Sequence, residues 1–292
     1  MSATILSGKP IAEKINKSTQ DIIQNRKLKV GLASILVGDH QPSQTYIRIK
    51  ETTAKKVGIT FTKKSFPTSF PPIKIIDAIK EFNADQQING IIVQLPLPPD
   101  FIEEQIIKAI NPFKDVDVLH PKNLGQLVYN QSNLLSPIIL ATLQILKETN
   151  LFSVINYKTP LNTYEIPDLA GVSISIIGYG ILVGKPLSIF LSNQRAIVNV
   201  INSSENNIGK YTRESKIIIT ATNGTNVLEP EDISEGSTLI DIGNDIITEK
   251  FLDKNIYFCK NPGGIGPLTV ANLLHNTLLV AQHESLRQTT HK

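Results

Sequence analysis

Short apolar runs rich in β-branched residues alternate with amphipathic segments along most of the chain. The runs 30–38, 88–94 and 172–177 are typical of buried strands, and the segment 43–57 has helical spacing. Two parallel strands cannot be joined by a tight hairpin, so a strand, a helix and a further strand form a crossover. The alternation therefore predicts an α/β fold built from βαβ units around parallel sheets.

The length and composition indicate a globular protein. The chain has 292 residues, of which 41% are hydrophobic and 19% charged, enough for one large or two ordinary domains. The net charge of +3 contains no long run of one sign, so nothing favours nucleic acid or a membrane surface as a partner. No apolar run reaches membrane-spanning length, and the single cysteine, Cys259, excludes an intrachain disulfide. With an N-terminus too polar for a signal peptide, these features favour the cytoplasm.

The predicted elements form two α/β groups. Helices are predicted over 11–27, 43–57, 72–84, 100–110, 136–150 and 185–193, with a long final helix after the glycine turn of "NPGGIGPL". Strands are predicted over 30–38, 58–66, 88–94, 172–177, 196–202, 216–222 and 237–243. The stretches 111–133 and 153–168 are predicted to be a long loop and a connection. This order predicts two domains joined by helices, with a ligand cleft between them.

A glycine-rich turn follows the predicted strand 172–177. The stretch "ISIIGYGILVGKP", residues 174–186, has the strand–turn–helix form that places a phosphate on backbone N–H groups. Its glycines are Gly178, Gly180 and Gly184, and the spacing from the second to the third is one residue longer than in the dinucleotide fingerprint G-x-G-x-x-G. The spacing alone leaves open whether this is a nucleotide loop of another pattern or an ordinary turn.

A lysine interrupts the apolar face of the predicted helix 43–57. Lys50 lies between Ile47 and Ala54 on that face, and Tyr46 stands one turn before it. A lysine that faces inward loses hydration, so its pKa should fall and it would exchange protons near neutral pH. The alternative is a side chain that reaches from the edge of the apolar stripe into water.

Two further polar residues occupy positions typical of a ligand crevice. Gln94 ends the strand "INGIIVQ", and the carboxyl ends of strands face the crevice in open α/β sheets. A neutral amide there would hydrogen-bond a lysine without raising its pKa as a carboxylate would. Asp117, in "KDVDVLHP", would offer a carboxylate to donors on a heterocyclic ligand. The alternatives are an ordinary strand-end amide and a turn aspartate.

Five segments occur in the order found in one enzyme family. They are "VGDHQPSQTYIRIKETTAKKVGI" with its Y-x-x-x-K pair, "GIIVQLPLP", "NPFKDVDVLHPKNLGQL", "GYGILVGKP" and "NPGGIGPLTVANLLHNT". Over nearly the whole chain they resemble the bifunctional methylenetetrahydrofolate dehydrogenase/cyclohydrolase family. The fourth falls where that family has G-R-S-x-x-V-G-x-P, and the fifth matches its P-G-G-V-G-P-M-T segment. The resemblance identifies the glycine turn as a nucleotide loop with the family's own spacing.

The resemblance implies a division of labour between two domains. Residues 1–137 with 268–292 would form an α/β folate-binding catalytic domain, and 138–267 a Rossmann-like parallel-sheet domain for NADP. The implied reactions are oxidation of 5,10-methylenetetrahydrofolate to the 5,10-methenyl form with NADP and hydrolysis of the latter to 10-formyltetrahydrofolate. The resemblance also implies a homodimer through the second domain and a place in one-carbon metabolism and purine biosynthesis. No metal is expected, because the five histidines are scattered without ligand spacing to cysteines or acids.

The matching positions imply the roles of individual residues. Lys50 matches the catalytic lysine, Gln94 its partner, Tyr46 the ring beside the folate and Asp117 the carboxylate that holds the pterin. Leu95, Pro262 and Gly263 complete the implied folate-binding set. The implied cofactor-binding residues are Gly178, Tyr179, Gly180, Val183, Gly184, Ser203, Thr222, Asn223, Gly224 and Asn244.

The departures from the family pattern cluster on the cofactor side. Tyr179 and Gly180 replace the family's Arg and Ser, and a tyrosine lacks the paired donors that suit a 2′-phosphate. Arg195 is near in sequence, but the sequence does not show that it replaces the arginine. No acidic residue ends the predicted strand 196–202 to bind a ribose as in NAD enzymes, and Glu205 is a possible substitute. NADP is therefore inherited by resemblance, and NAD stays possible. Asn244 replaces an apolar residue. Elsewhere, "SPIIL" (136–140) replaces P-C-T-P and Val118 replaces a glycine that allowed free backbone angles.

Three alternatives to the bifunctional enzyme stay open. One is a cyclohydrolase whose dehydrogenase activity is altered or lost, because the departures spare the folate side. Another is a folate-binding homologue without turnover, although Lys50 and its partners would then have no purpose. The third, an unrelated NAD-linked dehydrogenase of small acids, leaves "GIIVQLPLP" and "KDVD" unexplained.

Overall fold

The computed structural model describes residues 2–202, 204–222 and 224–290 and, of residues 286–290, the backbone alone. Its elements in chain order are β1 (Thr4–Ile5), α1 (Lys9–Arg26), β2 (Gly31–Val37), α2 (Gln41–Val57), β3 (Thr60–Phe66), α3 (Pro72–Ala84), β4 (Gly90–Val93), α4 (Glu103–Lys108), α5 (Pro121–Val128), α6 (Pro137–Lys147), β5 (Val154–Lys158), β6 (Thr163–Pro167), β7 (Ser173–Ile177), α7 (Gly184–Asn193), β8 (Ile197–Ile201), α8 (Gly209–Thr212), β9 (Ile217–Thr220), β10 (Thr238–Asp241), β11 (Tyr257–Cys259) and α9 (Ile265–Thr290).

The chain forms two compact units, named here by their principal sheets. The three-stranded unit comprises Glu13–Gly125, Pro160–Asn162 and Val270–Lys292. The six-stranded unit comprises Met1–Ala12, Gln126–Thr159 and Thr163–Thr269. The N-terminal segment belongs to the six-stranded unit because β1 pairs with β11. The division into a folate-binding domain of residues 1–137 with 268–292 and a nucleotide-binding domain of residues 138–267 stays a prediction.

The three-stranded unit is built on a parallel sheet in the order β3-β2-β4. Every residue of the central strand β2 is buried, as expected for a parallel strand covered on both faces. Helix α2 places Ile47, Ala54 and Val57 in the core, which confirms the apolar stripe read from the sequence. The final helix contributes to the same unit, where Asn276 Nδ2 donates to the Val116 carbonyl at 3.1 Å.

The six-stranded unit has a parallel sheet in the order β1-β11-β10-β9-β7-β8. From β7 the chain moves outward to the edge strand β8 and then returns to β9 on the other side of β7. This reversal is a topological switch point, and the crevice outside the carboxyl ends of β7 and β9 is where such sheets bind ligands. The core beneath it contains the fully buried rings of Phe251 and Phe258.

Several predicted elements differ from the structure. The stretch 153–168, predicted to be a connection, is the antiparallel hairpin β5–β6, and the predicted loop 111–133 contains α5. The hairpin was hidden by its short, proline-flanked strands, whereas Pro121 at the first helical residue was a usable start signal for α5. Strands β1 and β11, of two and three residues, are too short to show periodicity. The predicted helix 100–110 spans only Glu103–Lys108.

The switch point explains why Gly178 is a glycine. Its φ is +110°, and a Cβ at this position would overlap the carbonyl oxygen of Ala221, the residue that follows β9. Gly178 N donates to the Ile201 carbonyl at 2.8 Å, and Ala221 N donates to the Ile177 carbonyl at 2.8 Å. The turns after β7 and β9 therefore touch through backbone alone.

Gly178→Ala should lower the free energy of unfolding by about 2–4 kcal/mol, because the new Cβ adds a backbone clash to a left-handed φ. The matched control is Gly180→Ala in the same turn, where a Cβ would meet no atom within 4 Å and the change should be within about 0.5 kcal/mol. Urea unfolding followed by circular dichroism measures both. Equal midpoints for the two variants would contradict the tight contact at the switch point.

Candidate active site

Lys50 and Gln94 meet in the three-stranded unit. Lys50 Nζ donates a hydrogen bond of 3.1 Å to Gln94 Oε1. Helix α2, which carries Lys50, follows β2 in the chain. Strand β4, whose end carries Gln94, pairs with β2 in the sheet. Lys50 is half-buried between the fully buried Ile47 and Ala54. Its ammonium is directed to an amide oxygen, as the sequence predicts, and not out of the apolar stripe into water.

The Gln94 side chain is held from both sides. Its backbone N donates to the Ile35 carbonyl at 2.9 Å, which continues the sheet beyond β4. Its Nε2 donates to the Leu95 carbonyl at 2.8 Å. Because the nitrogen end of the amide is occupied, the oxygen end faces Lys50. The contact fixes the lysine without adding a negative charge.

Two titratable groups in this site have displaced pKa values. Burial lowers the pKa of Lys50 from its ordinary value, and the Asp117 carboxylate opposes this with a smaller effect. Burial raises the pKa of Asp117, and Lys50 opposes that shift in turn. The pKa values of both groups are therefore shifted in the direction of neutral pH, the range in which a lysine can accept and return a proton.

The loop that carries Asp117 is organised around a second, deeper carboxylate. Asp115 is only 2% exposed and accepts hydrogen bonds from Leu119 N (3.2 Å), His120 N (2.8 Å) and Asn123 Nδ2 (2.8 Å). Burial raises the pKa of Asp115 to about 6 in spite of these donors. Asp115 was not predicted from the sequence, although the repeated acid in "KDVD" was an available signal.

Two more features fix the same loop. Lys114 Nζ donates to the carbonyls of Phe82, Asn83 and Asp85 at 3.2, 2.9 and 2.7 Å, so a buried cation closes the C-terminal end of α3. Val118 has a φ of +61°, a conformation that β-branched residues rarely adopt. The concern raised by the missing glycine at Val118 is thus confirmed as backbone strain.

The other residues assigned to folate binding differ in exposure. Tyr46 is 43% exposed one turn before Lys50, and Leu95 is 6% exposed. Pro262 and Gly263 belong to the six-stranded unit, where Gly263 has a φ of +103°. Their roles toward folate stay predictions.

The glycine turn of the six-stranded unit is tightly built. A Cβ at Gly184 would overlap the Gly178 carbonyl oxygen, so the first and third glycines are both required by sterics. Lys185 N donates to the Gly180 carbonyl at 3.1 Å as α7 begins. Tyr179 is 51% exposed in this turn.

The turn after β9 is held by a buried carboxylate from the turn after β10. Asp245 is fully buried and accepts from Thr222 N (2.8 Å), Thr222 Oγ1 (2.9 Å) and Gly224 N (2.9 Å). Asp245 N in turn donates to Asp241 Oδ1 at 2.9 Å. Thr222 and Gly224 were predicted as cofactor-binding residues, whereas Asp245, which has no motif of its own, was not. Neighbouring Asn244 is exposed, with a φ of +61°.

The end of β8 shows which side chains can reach the glycine turn. Arg195 lies two residues before the amino end of β8, whereas Asn202 follows its carboxyl end, and the strand between them is about 16 Å long. It is therefore not a replacement for the missing arginine. Glu205 accepts from Asn207 N at 2.7 Å and Tyr211 OH at 3.2 Å. The selected residues Ser203 and Asn223 lie outside the described residues.

Within residues 2–202, 204–222 and 224–290 no helix is both long and apolar enough to cross a bilayer. The same part of the chain contains no group of three or more His, Cys, Asp or Glu side chains placed to hold a metal ion.

Comparison with known proteins gives matches over nearly the full length. Residues 6–117 match the model of the tetrahydrofolate dehydrogenase/cyclohydrolase catalytic domain, and residues 158–285 match that of its NAD(P)-binding domain. The bifunctional protein FolD of Bacillus subtilis is 32% identical over 97% of this chain and 99% of that protein.

Solved structures agree with this result. The bifunctional FolD methylenetetrahydrofolate dehydrogenase/cyclohydrolase of Campylobacter jejuni superposes with a TM-score of 0.86 at 30% identity, covering 97% of this chain and 100% of that one. The Trypanosoma brucei enzyme, complexed with NADP cofactor and an inhibitor, gives 0.84 at 25% identity over 98% and 99%.

Fold and site together define a two-unit α/β protein with a lysine–amide pair in one unit and a Rossmann-like nucleotide-binding sheet in the other. The chain belongs to the tetrahydrofolate dehydrogenase/cyclohydrolase family.

Asp115→Asn should change how stability depends on pH. Between about pH 4 and 6 the folded protein keeps Asp115 protonated while the unfolded chain ionises it, so stability present below pH 4 is lost as pH rises through 6. The displacement of about two pKa units corresponds to about 3 kcal/mol. The asparagine variant lacks this loss, so its stability relative to the native protein should rise from pH 4 to 7 in urea unfolding. A constant difference over that range would contradict the assignment.

Proposed function

We propose that this protein oxidises 5,10-methylenetetrahydrofolate to 5,10-methenyltetrahydrofolate with NADP and hydrolyses the product to 10-formyltetrahydrofolate. Family membership and the two matched domains support this proposal. The observation that carries it is the 3.1 Å hydrogen bond from the half-buried Lys50 ammonium to the neutral amide of Gln94. A non-catalytic binder would have no need for such a lysine.

The cyclohydrolase step depends on proton transfer. Water adds to the methenyl carbon, and neutral Lys50 accepts the proton that the water loses. The ammonium then returns a proton to the ring nitrogen as the carbon–nitrogen bond breaks. The remaining hydroxyl proton leaves to solvent as the formyl carbonyl forms. Gln94 holds Lys50 Nζ during this exchange, and Asp117 supplies a carboxylate for the donors of the pterin.

The six-stranded unit fits a dinucleotide cofactor. Gly178 and Gly184 leave space in the turn that a Cβ would fill, and the turn leads directly into the N-terminus of α7 at the switch point. Residues of this turn, together with Thr222 and Gly224, would hold NADP, which supplies a hydride acceptor when bound. The carboxylate of Asp245 would keep the backbone of Thr222 and Gly224 in place.

A second candidate is a cyclohydrolase with altered or lost dehydrogenase activity. The described contacts of Lys50, Gln94 and Asp117 all lie in the three-stranded unit, whereas Tyr179 and Gly180 depart from the family pattern in the other unit. Hydrolysis of methenyltetrahydrofolate without nucleotide, beside a dehydrogenase assay with NADP and NAD, distinguishes the candidates. Hydrolysis at the uncatalysed rate with dehydrogenase intact would exclude the second.

A homodimer through the six-stranded unit belongs to the same proposal, as do a cytoplasmic location and a supply of formyl groups to purine biosynthesis. The exposed edge strand β8 supports the dimer, since its apolar Ile197 and Val200 are 59% and 40% exposed. Sedimentation velocity of the purified protein tests it, and a monomer at micromolar concentration would contradict it.

Lys50→Met should lower cyclohydrolase turnover by about 10²–10⁴-fold, because the proton acceptor is removed, while folate binding largely persists. Lys55→Met is the matched control: it lies on the same helix, is largely exposed and pairs with Glu51, so turnover should stay within about twofold. Hydrolysis of methenyltetrahydrofolate is followed by absorbance, and binding by calorimetry. Native-like turnover in Lys50→Met would overturn the assignment.

Gln94→Glu should move the pH–rate profile of hydrolysis. A carboxylate at the position of the amide would stabilise the charged lysine and raise the pKa of Lys50, so less neutral lysine is present at a given pH. The acidic limb of the pH–rate profile should therefore shift to higher pH by about one to two pH units. The same substitution at exposed Gln105 is the control and should leave the profile in place. A profile unchanged in Gln94→Glu would show that Lys50 is not the titrating group.

A further inference from the structure

The turn after β7 carries a cation without a carboxylate partner. Lys185, in the first turn of α7, is exposed, and its Nζ lies 5.5 Å from the centre of the Tyr179 ring. The ring holds the ammonium by a cation–π contact, which leaves its charge available. No ion pair joins Lys185 to an Asp or Glu in the described part of the chain.

A cavity joins the Tyr179 ring of this pair to the end of β8. Tyr179 and Asn202 line the same cavity of about 540 Å³. Asn202 directly follows β8, the strand that comes after β7 and the first crossover helix. In sheets of this topology the end of that strand is where the 2′ position of the adenosine ribose is recognised, by an acid for a free hydroxyl or by a cation for a phosphate.

The other charged side chains near this end have partners or lie elsewhere. Arg213 pairs with Asp232 at 3.2 Å, and Arg195 lies before the opposite end of β8. Lys210 lies 5.3 Å from the Tyr211 ring in α8 and, unlike Lys185, its charge also acts on a carboxylate, that of Glu205. Glu205 uses both carboxylate oxygens within its own turn and α8, so it is not presented as an acceptor for a ribose hydroxyl.

Resting on the proposed function, we infer that Lys185 binds the 2′-phosphate of NADP and gives the enzyme its preference for NADP over NAD. The ammonium supplies the positive charge that Tyr179 cannot, and it lies against the Tyr179 ring, which shares a cavity with Asn202 at the end of β8. Lysine recognises the phosphate dianion as a point charge, so the contact weakens with salt.

Equilibrium binding of NADPH and NADH, followed by the fluorescence of the reduced nicotinamide, tests this without turnover. Lys185→Gln should raise the NADPH dissociation constant about tenfold and leave that of NADH within twofold, since only NADPH carries the extra phosphate. Lys185→Arg should retain the preference. Lys210→Gln, which removes a lysine from the other tyrosine ring, is the matched control and should change neither constant.

The outcomes separate the inference from the proposed function. Native protein that binds neither NADPH nor NADH overturns both. Native protein that binds NADPH, with an unchanged constant in Lys185→Gln, overturns the role of Lys185 alone. Equal weakening of NADPH and NADH would place Lys185 at the pyrophosphate and also overturn the specificity role. Circular dichroism and nucleotide-free hydrolysis identify a variant that has lost its fold.

Discussion

A half-buried ammonium held by a neutral amide is the interaction on which the proposed chemistry depends. An apolar neighbour would leave the Lys50 nitrogen without a partner, and a carboxylate at hydrogen-bond distance would raise its pKa and favour the charged form. Gln94 avoids both outcomes because its own nitrogen is tied to the Leu95 carbonyl and only its oxygen faces the lysine. The strand end thus sets the electrostatics of a residue that lies 44 positions away in the chain.

The segment around Asp117 has little regular structure, yet opposite charges fix it to backbone groups. Lys114 donates to three carbonyls at the end of α3, while Asp115 accepts from backbone and amide N–H groups ahead of it. Each buried charge is satisfied by polar groups of the fold and neither depends on the other. This anchoring is strong enough to hold Val118 at a positive φ, a strain of about 1–3 kcal/mol.

Periodicity and turn chemistry were sufficient for most of the fold. The stripe through Ile47 and Ala54 located Lys50 correctly, and the helix predicted from residue 136 begins where the Ser136 side chain accepts from Ile139 N. The hairpin β5–β6 was missed because β5 has no buried residue and β6, where Tyr164 and Ile166 alternate with exposed positions, is only five residues long.

Contacts between distant segments could not be predicted from the sequence where the residue that makes them belongs to no motif. Asp245 holds Thr222 and Gly224 from about 20 positions away, and no local pattern indicates that contact. The position of Arg195 could be decided only once the direction of β8 was known. By contrast, Gly178 and Gly184 were recognisable because backbone crowding leaves a direct mark on residue choice.

The confinement of Lys50, Gln94 and Asp117 to one compact unit has an evolutionary consequence. Substitutions in the dinucleotide sheet can accumulate without altering the groups that carry the hydrolytic proton. A lineage can therefore change its choice of redox partner, or lose oxidation altogether, while continuing to make formylated folate. Selection can therefore act on the two reactions separately. This chain shows the pattern expected from that, because Tyr179 departs from the family while the lysine–amide pair is kept.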